Sequence, residues 1–407
     1  GQSLAALIES YIQSFSPHEE FSGVILVADK DKILYHKGYG PASREFDIAN
    51  GTETRFQIGS ITKAFTAMIA LKLAEQGIID LDKRIADYLP YYPKESGAAI
   101  TIRQLLGNTS GIAHHNQIVP DYFRADDHFF HTPKELLRLF WDAPLKHVPG
   151  QGFTYSSPGY YIVGAILQQV SKKSYNELLQ EIVCKPLGMK NTFVENNRTT
   201  DRNLATGYIR GITGLVKAYV EDKSTALAAG DLISTAHDLF LWQRTVHPQA
   251  DVILSAESKK AMLQPVLPES PLTMAGPHFK IPYDNGNKTL AISLLTGSSS
   301  GYASCINRQT ELDRCVIVLS NINGDDVSRI ADDIGDIILR RGYGMAVGEE
   351  APLTRTPPQA ARLPGLDASK ILGFYRSPDG NYCGVIQQGQ KLYCLDFNKK
   401  SGMQFAL

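Results

Sequence analysis

The sequence has no surplus of either charge: 41 Lys and Arg stand against 42 Asp and Glu, a formal net charge of -1. Its longest like-charge blocks are pairs such as Lys172-Lys173 and Arg340-Arg341, so there is no basic stripe for nucleic acid or acidic lipid. Long apolar runs are also missing. "AFTAMIAL" is stopped by Lys72 and "YYIVGAIL" by Gln168, well short of the ~18 residues a spanning helix needs. Five cysteines are too few for a disulfide scaffold, and without a C-x-x-C pair they suggest neither a zinc knuckle nor a redox motif. No internal repeat or low-complexity tract is visible. What is present is 407 residues with 43% hydrophobic content, enough for a sizeable core in about two or three domains.

Two cysteine pairs stand at hairpin spacing. "NYCGVIQQGQKLYCLDF" reads as a hairpin turning at Gln388-Gly389, which sets Cys383 opposite Cys394. "ASCINRQTELDRCVIVLS" turns near Thr310 and sets Cys305 opposite Cys315. Opposed residues lie close enough for a disulfide, so at least one cross-strand bridge is expected; buried free thiols are the alternative.

A helix is expected within Ser3 to Ser14, followed by a hairpin in "FSGVILVADKDKILYHKGYG". "SITKAFTAMIALKLAEQG" reads as a helix that stops at Gly77, and its nearly all-round apolar surface marks it as buried. Residues 76–274 have mainly helical spacing, in segments such as "TIRQLLGNTSG", "TPKELLRLFWDA" and "STAHDLFLWQRTV". β character returns in "KTLAISLLTG", "GYASCINRQ" and "RCVIVLSN", before a helix in "DVSRIADDIGDIILRRG". Strands at both ends with helices between predict an α+β fold, an antiparallel sheet flanked by helices beside a helical lobe. The expected division is 1–75 with 275–348 for the sheet-containing part and 76–274 for the lobe, with a cleft between them. A Pro-rich linker at 349–366 and a small β appendage at 367–407 follow.

In "FQIGSITKAF", Ser60 and Lys63 fall on one face of a helix that begins at Ser60. The Ser60 N–H is then an unpaired donor of a helix start, available to an oxyanion. Lys63, packed among Ile61, Ala64 and Phe65, is poorly solvated, which favours a neutral, proton-accepting amine. The spacing therefore fits a serine nucleophile with a lysine partner. The ordinary reading is an N-cap serine with an outward-reaching lysine, and S-x-x-K alone does not decide between the two.

The surroundings do. "RFQIGSITKAFTA", "LDKRIADYLP", "ITIRQLLGNTSGI", "VPGQGFTYSSPGYYIVGAIL", "YNELLQEIVCKPLGMKNTFV", "AAGDLISTAHDLFLWQ" and "SGYASCINRQTELDRCVIVLSN" resemble, in order over about Leu4 to Arg341, the serine β-lactamase and penicillin-binding-protein-like superfamily. The similarity is to its class C β-lactamase, DD-peptidase and esterase branch, and it implies a nucleophile at the start of a buried helix in the cleft. The family's Tyr-x-Asn falls on Tyr155-Ser156-Ser157, and the resemblance implies that Tyr155 shares proton transfer with Lys63; which of the two is the base stays open. Ser157 departs from the motif and reads as an N-cap before Pro158, removing an amide that in the family contacts the substrate acyl side chain. The third motif falls on Leu295-Thr296-Gly297, where the family's Lys or His is replaced by leucine, so carboxylate-selective chemistry loses a handle. By the same resemblance the N–H of Ser298 completes an oxyanion hole with that of Ser60.

Two other constellations compete. "GSSSG", Gly297 to Gly301, satisfies G-x-S-x-G with Ser299 as nucleophile, but β-rich sequence follows and all ten histidines precede it, against the elbow's requirements. His114, His115, Asp121, Asp126, Asp127, His128 and His131 lack the spacing of a known metal motif and read as a polar loop over the cleft. The expectation is a serine hydrolase acting through an acyl-enzyme on an ester, amide or small peptide, without metal or cofactor. The alternatives are a β-lactamase or D-Ala-D-Ala carboxypeptidase, and a catalytically idle binding protein on the same fold. Expected partners are a small-molecule or peptide substrate, with no nucleic acid and no transmembrane segment, and the oligomeric state is left open. The resemblance and the expected disulfides imply a periplasmic or secreted setting.

Overall fold

"GVILVAD" and "RCVIVLS" are apolar without the polar alternation of a half-exposed strand, which requires cover on both faces. The computed structural model describes residues 3–342, apart from 16–19, 120–121, 123–131, 197–199, 212–213, 248–249, 251, 271 and 284–287, and four strands between 373 and 406. Its central seven-stranded sheet contains β1 (Gly23–Asp29), β2 (Lys32–Tyr39), β3 (Gly276–Tyr283), β4 (Lys288–Ser299), β5 (Tyr302–Gln309) and β6 (Arg314–Ser320). From the edge segment Leu272–Thr273 the order is β3, β4, β5, β6, β1, β2, with every neighbour antiparallel. β1 meets β6 from Gly23↔Ser320 to Asp29↔Arg314, so distant parts of the chain close one sheet.

Four helices frame it: α1 (Leu4–Gln13), α2 (Thr62–Glu75), α3 (Ser157–Ser171) and α4 (Val327–Gly342). Because successive strand residues point to opposite faces, Ile25, Val27, Val316 and Val318 pack with α1 and α4. Val24, Leu26, Ile317 and Leu319 belong to the larger core around α2 and α3. α2 is buried on nearly every side, as its Ala-rich sequence requires, and Phe65 stacks on Trp242 at 4.7 Å. It ends where Gly77 turns to φ +70°, and the Gly77 and Ile78 N–H groups donate to Ala74 and Leu73. The lobe between α2 and β3 is not purely helical. Leu232–Ser234 pairs with both Phe56–Gln57 and Phe193–Val194, and Tyr208–Gly211 pairs with Gly214–Lys217.

The cysteine pairing is corrected by the turns. A short helical turn at Thr310–Leu312 and Asp313 at φ +49° lengthen the connection, so Cys305 faces Val318 and Cys315 faces Arg308. The odd offset sends the two cysteines to opposite faces, and both are buried free thiols, as is Cys184. Burial pushes the Cys184 and Cys315 thiols up to about 12. In the C-terminal four-stranded sheet, Gln388 pairs with Lys391, placing the turn one residue later than expected. Cys383 therefore faces Asp396 and Cys394 faces Val385; their side chains, like residues 349–366, lie outside the described ones. The expected support for an oxidising compartment falls with the Cys305–Cys315 bridge. Among the described residues no helix is long and apolar enough to cross a membrane.

Candidate active site

Ser60 does not open an α-helix. Gly59 takes φ +50°, Gly59–Ile61 form a tight helical turn, and α2 begins at Thr62. Short turns of this kind commonly lead into helices, and the three-residue spacing keeps Ser60 and Lys63 together. The Lys63 Nζ donates to Ser60 Oγ at 3.1 Å and to the Ala229 carbonyl at 2.9 Å. Lys63 is 6% exposed, and its Nζ sits 5.0 Å from the Tyr155 ring centroid. The Tyr155 hydroxyl donates to Ser60 Oγ at 2.8 Å from the opposite side. The three side chains named from the sequence thus converge on one half-buried oxygen.

Tyr155 is carried by the segment entering α3. Here Ser156, not Ser157, is the N-cap: its Oγ accepts from the Gly159 N–H at 3.1 Å, and its own N–H donates to Asn108 Oδ1 at 2.9 Å. Ser157 is instead the first helical residue, with its N–H on His114 Nδ1 at 3.2 Å. Ser157, His114, His115 and Glu221 line a cavity of about 290 Å³, which Ser60, Tyr155 and Ser298 border. The other members of the histidine and aspartate cluster, from Asp121 to His131, lie outside the described residues. Among the described residues no group of His, Cys, Asp and Glu is arranged for a metal ion.

A second cavity of about 500 Å³ reaches Ser60, Lys63 and Tyr155 from the other side, lined by Leu272, Met274, Leu295 and Thr296. Leu295 is 7% exposed and presents an apolar wall where a cation was expected to be missing. Gly297 and Ser298 run directly against the serine turn. A Cβ on Gly297 would fall 1.9 Å from the Ile58 carbonyl oxygen, and one on Gly59 would fall 2.6 Å from the Ser298 nitrogen. The backbone at Ile58 and Gly59 therefore approaches that at Gly297 and Ser298 as closely as glycine permits. Ser299 ends β4 and is followed by a turn into β5, not by a helix, so it lacks the setting of a nucleophile elbow.

Sequence reasoning missed the support beneath Lys63. Asp231, completely buried, accepts the Ala228 N–H on Oδ2 at 3.0 Å and folds residues 228–231 into a turn. Ala228 takes φ +56° in it, the Ala228 carbonyl accepts from Thr66 Oγ1 at 2.6 Å, and the Ala229 carbonyl accepts from Lys63. α3 admits this turn closely at Gly164, where a Cβ would fall 2.6 Å from that of Ala228. Burial pushes the Asp231 carboxyl up to about 7, against the pull of the Ala228 N–H and of Lys223 and Lys63. A buried pair, Glu221 and Lys223, was also missed; its partners are distant in sequence and no motif announces it.

A family model described as Beta-lactamase matches residues 8–339, and the chain belongs to that family. Penicillin-binding protein 4* of Bacillus subtilis is 24% identical over 95% of this chain and 86% of its own length. Protein flp of Staphylococcus aureus is 26% identical over 77% of this chain, which spans 62% of that protein. Among solved structures, the octameric penicillin-binding protein homologue from Pyrococcus abyssi superposes with a TM-score of 0.69 at 25% identity, over 99% of this chain and 90% of that one. The D-amino acid amidase from Ochrobactrum anthropi SV3 superposes with a TM-score of 0.70 at 22% identity, over 83% and 99% respectively, which speaks to the fold.

Proposed function

We propose that this member of the Beta-lactamase family is a serine hydrolase that cleaves an ester, amide or small peptide through an acyl-enzyme. The observation that carries the reading is Ser60 Oγ held by both Lys63 Nζ and Tyr155 OH, beside two backbone segments in contact. Ser60 Oγ attacks the acyl carbon, and its proton passes to the Lys63 and Tyr155 pair. The oxygen that becomes anionic is stabilised by the N–H groups of Ser60 and Ser298. The carbon–heteroatom bond then breaks, the leaving alcohol or amine takes the proton, and water repeats the sequence to release the acid and restore Ser60.

The apolar wall at Leu295 supports a substrate without a carboxylate beside it, and in the other cavity Ser157 offers a hydroxyl where the family has an amide for the acyl side chain. The penicillin-binding names of the relatives favour a second reading, β-lactam or D-Ala-D-Ala chemistry. An exported setting for either reading rests on the family resemblance alone. Turnover of an activated aryl ester, abolished by Ser60→Ala, is the expected result; equal rates in the two proteins would sink the hydrolase reading. Intact mass after incubation with a penicillin separates the two substrate classes, since a Ser60-dependent adduct puts the second reading first.

A further inference from the structure

Ser299, the serine of the G-x-S-x-G match, is 8% exposed and stands one residue beyond the proposed Ser298 donor. Its Oγ stands 2.7 Å from Gln57 Oε1, three residues before Ser60, and 3.1 Å from Glu221 Oε2, two acceptors for its one proton, and it accepts from Lys223 Nζ at 2.7 Å. Lys223 in turn donates to Glu221 Oε2 at 2.8 Å, and Glu221 Oε1 accepts the Ser300 N–H at 3.2 Å. On the other side the Asn323 amide donates to the Ser299 carbonyl at 2.9 Å. The Ser299 hydroxyl thus bridges the strand that leads into Ser60 to the end of the strand that carries Ser298.

The charges in this network are buried, with Lys223 and Glu221 side chains 1% and 7% exposed. Burial raises the Glu221 carboxyl, but Lys223 and the bonds from Ser299 and Ser300 outweigh it and leave it lowered. Two charges withdrawn from water yield little net stability, so the fold alone gives a poor reason for the pair. It lies at the one place where two oxyanion donors from separate segments must keep a fixed spacing. A second serine acts on the same segments: Ser304 Oγ donates to the Ile58 carbonyl at 2.9 Å and lies 3.3 Å from the Gly297 carbonyl.

We infer that Ser299, fixed by the buried Glu221–Lys223 pair, is a positioning residue that sets the spacing between the Ser60 and Ser298 N–H groups. The inference rests on the hydrolase reading and adds to it residues that act on the two N–H groups through the backbone, although Glu221 and Ser299 also line the smaller cavity. A misplaced donor weakens the transition state more than the ground state, so turnover suffers and substrate binding does not.

The test compares wild type with Ser299→Ala in steady-state hydrolysis of an activated aryl ester and in inhibition by an aryl boronic acid. The boronic acid takes Ser60 Oγ onto boron as a tetrahedral anion, the Ser60 proton going to Lys63 or Tyr155. The expected result is a kcat lowered about 10- to 100-fold with KM within about threefold, and boronate affinity weakened by a similar factor. A merely structural role lowers the melting temperature and leaves both readouts at wild-type values, and that result overturns the inference. Should Ser299→Ala not fold, the double variant Glu221→Leu with Lys223→Met removes both charges together; the same kcat loss supports the inference and unchanged kcat overturns it. A wild type that neither cleaves the ester nor binds the boronate, with Ser60→Ala no different, defeats the hydrolase reading itself and the inference with it.

Discussion

At the scale of single residues, the proposed proton transfer at Ser60 rests on one oxygen atom of Tyr155 and one nitrogen of Lys63, each within hydrogen-bond distance of its Oγ. Tyr155→Phe keeps the ring that faces Lys63 and His114 but deletes the hydroxyl on Ser60 Oγ. Steady-state ester hydrolysis should show kcat reduced about 10²- to 10⁴-fold in a protein that melts like wild type. Asp231 acts on stability instead. Its carboxyl rises from an ordinary 3.8 to about 7 in the fold, so the native state keeps a proton that the unfolded chain releases. That contribution is full below about pH 4 and is lost as pH rises through 7, with Lys63, Lys223 and Tyr175 the groups that feel the new charge. Asp231→Asn should therefore gain on wild type by about 2–3 kcal/mol between pH 5 and pH 8 in chemical denaturation; parallel pH profiles would contradict it. Ser60, Lys63 and Tyr155 were legible because a local spacing and short motifs carry them. Asp231, Glu221 and Lys223 were not, because their roles come from Ala229, Lys63 and Ser299, which meet them only after folding.

At the scale of elements, composition revealed β1, β2, β4, β5 and β6 but not their register, and it revealed neither β3 nor the short strands within the lobe. The apolar runs of β1 and β6 announce strands covered on both faces, yet one extra turn at Thr310–Leu312 moves Cys305 and Cys315 to opposite faces of the sheet. The start of α2 slipped for a related reason. Gly59 at φ +50° admits a tight turn that apolar periodicity does not reveal. The same elements set a test of the contact between β4 and the serine turn. A methyl on Gly297 meets the Ile58 carbonyl oxygen at 1.9 Å, and backbone on both sides cannot swing away as a flexible side chain would. Gly297→Ala should cost about 1–3 kcal/mol in denaturant unfolding and lower ester kcat by at least about tenfold through displacement of Ser298. A variant with both quantities at wild-type values would show that this close approach does not exist.

At the scale of the whole molecule, the two faces of the sheet divide the labour. The face toward α2 and α3 carries Ser60, Lys63 and most of the cavity lining, whereas α1 and α4 cover the other with Ile8, Tyr11, Ile12, Ile330 and Ile334; Val327, at the start of α4, reaches the larger cavity. Tyr11 adds a hydroxyl bond of 2.5 Å to Asp333 Oδ2, so the first helix is joined to the last across the length of the chain. α1 is short, and an isolated helix of its length is marginal in water; packing against the sheet and α4 must hold it. Ile8 is fully buried in that second core. Ile8→Ala removes buried methyl groups and leaves a void, at a cost of about 2–5 kcal/mol, a large share of the ~5–15 kcal/mol that stabilises an ordinary domain. Catalysis should not follow, because Ile8 lines neither cavity that borders Ser60, although Ala303 and Val327 of the same core line the larger one. The expected outcome is a clear drop in melting temperature with ester kcat and KM unchanged well below the new transition. A parallel fall in kcat in the folded variant would mean that the sheet transmits strain from one face to the other, and the division between a load of packing on one side and chemistry on the other would have to be abandoned.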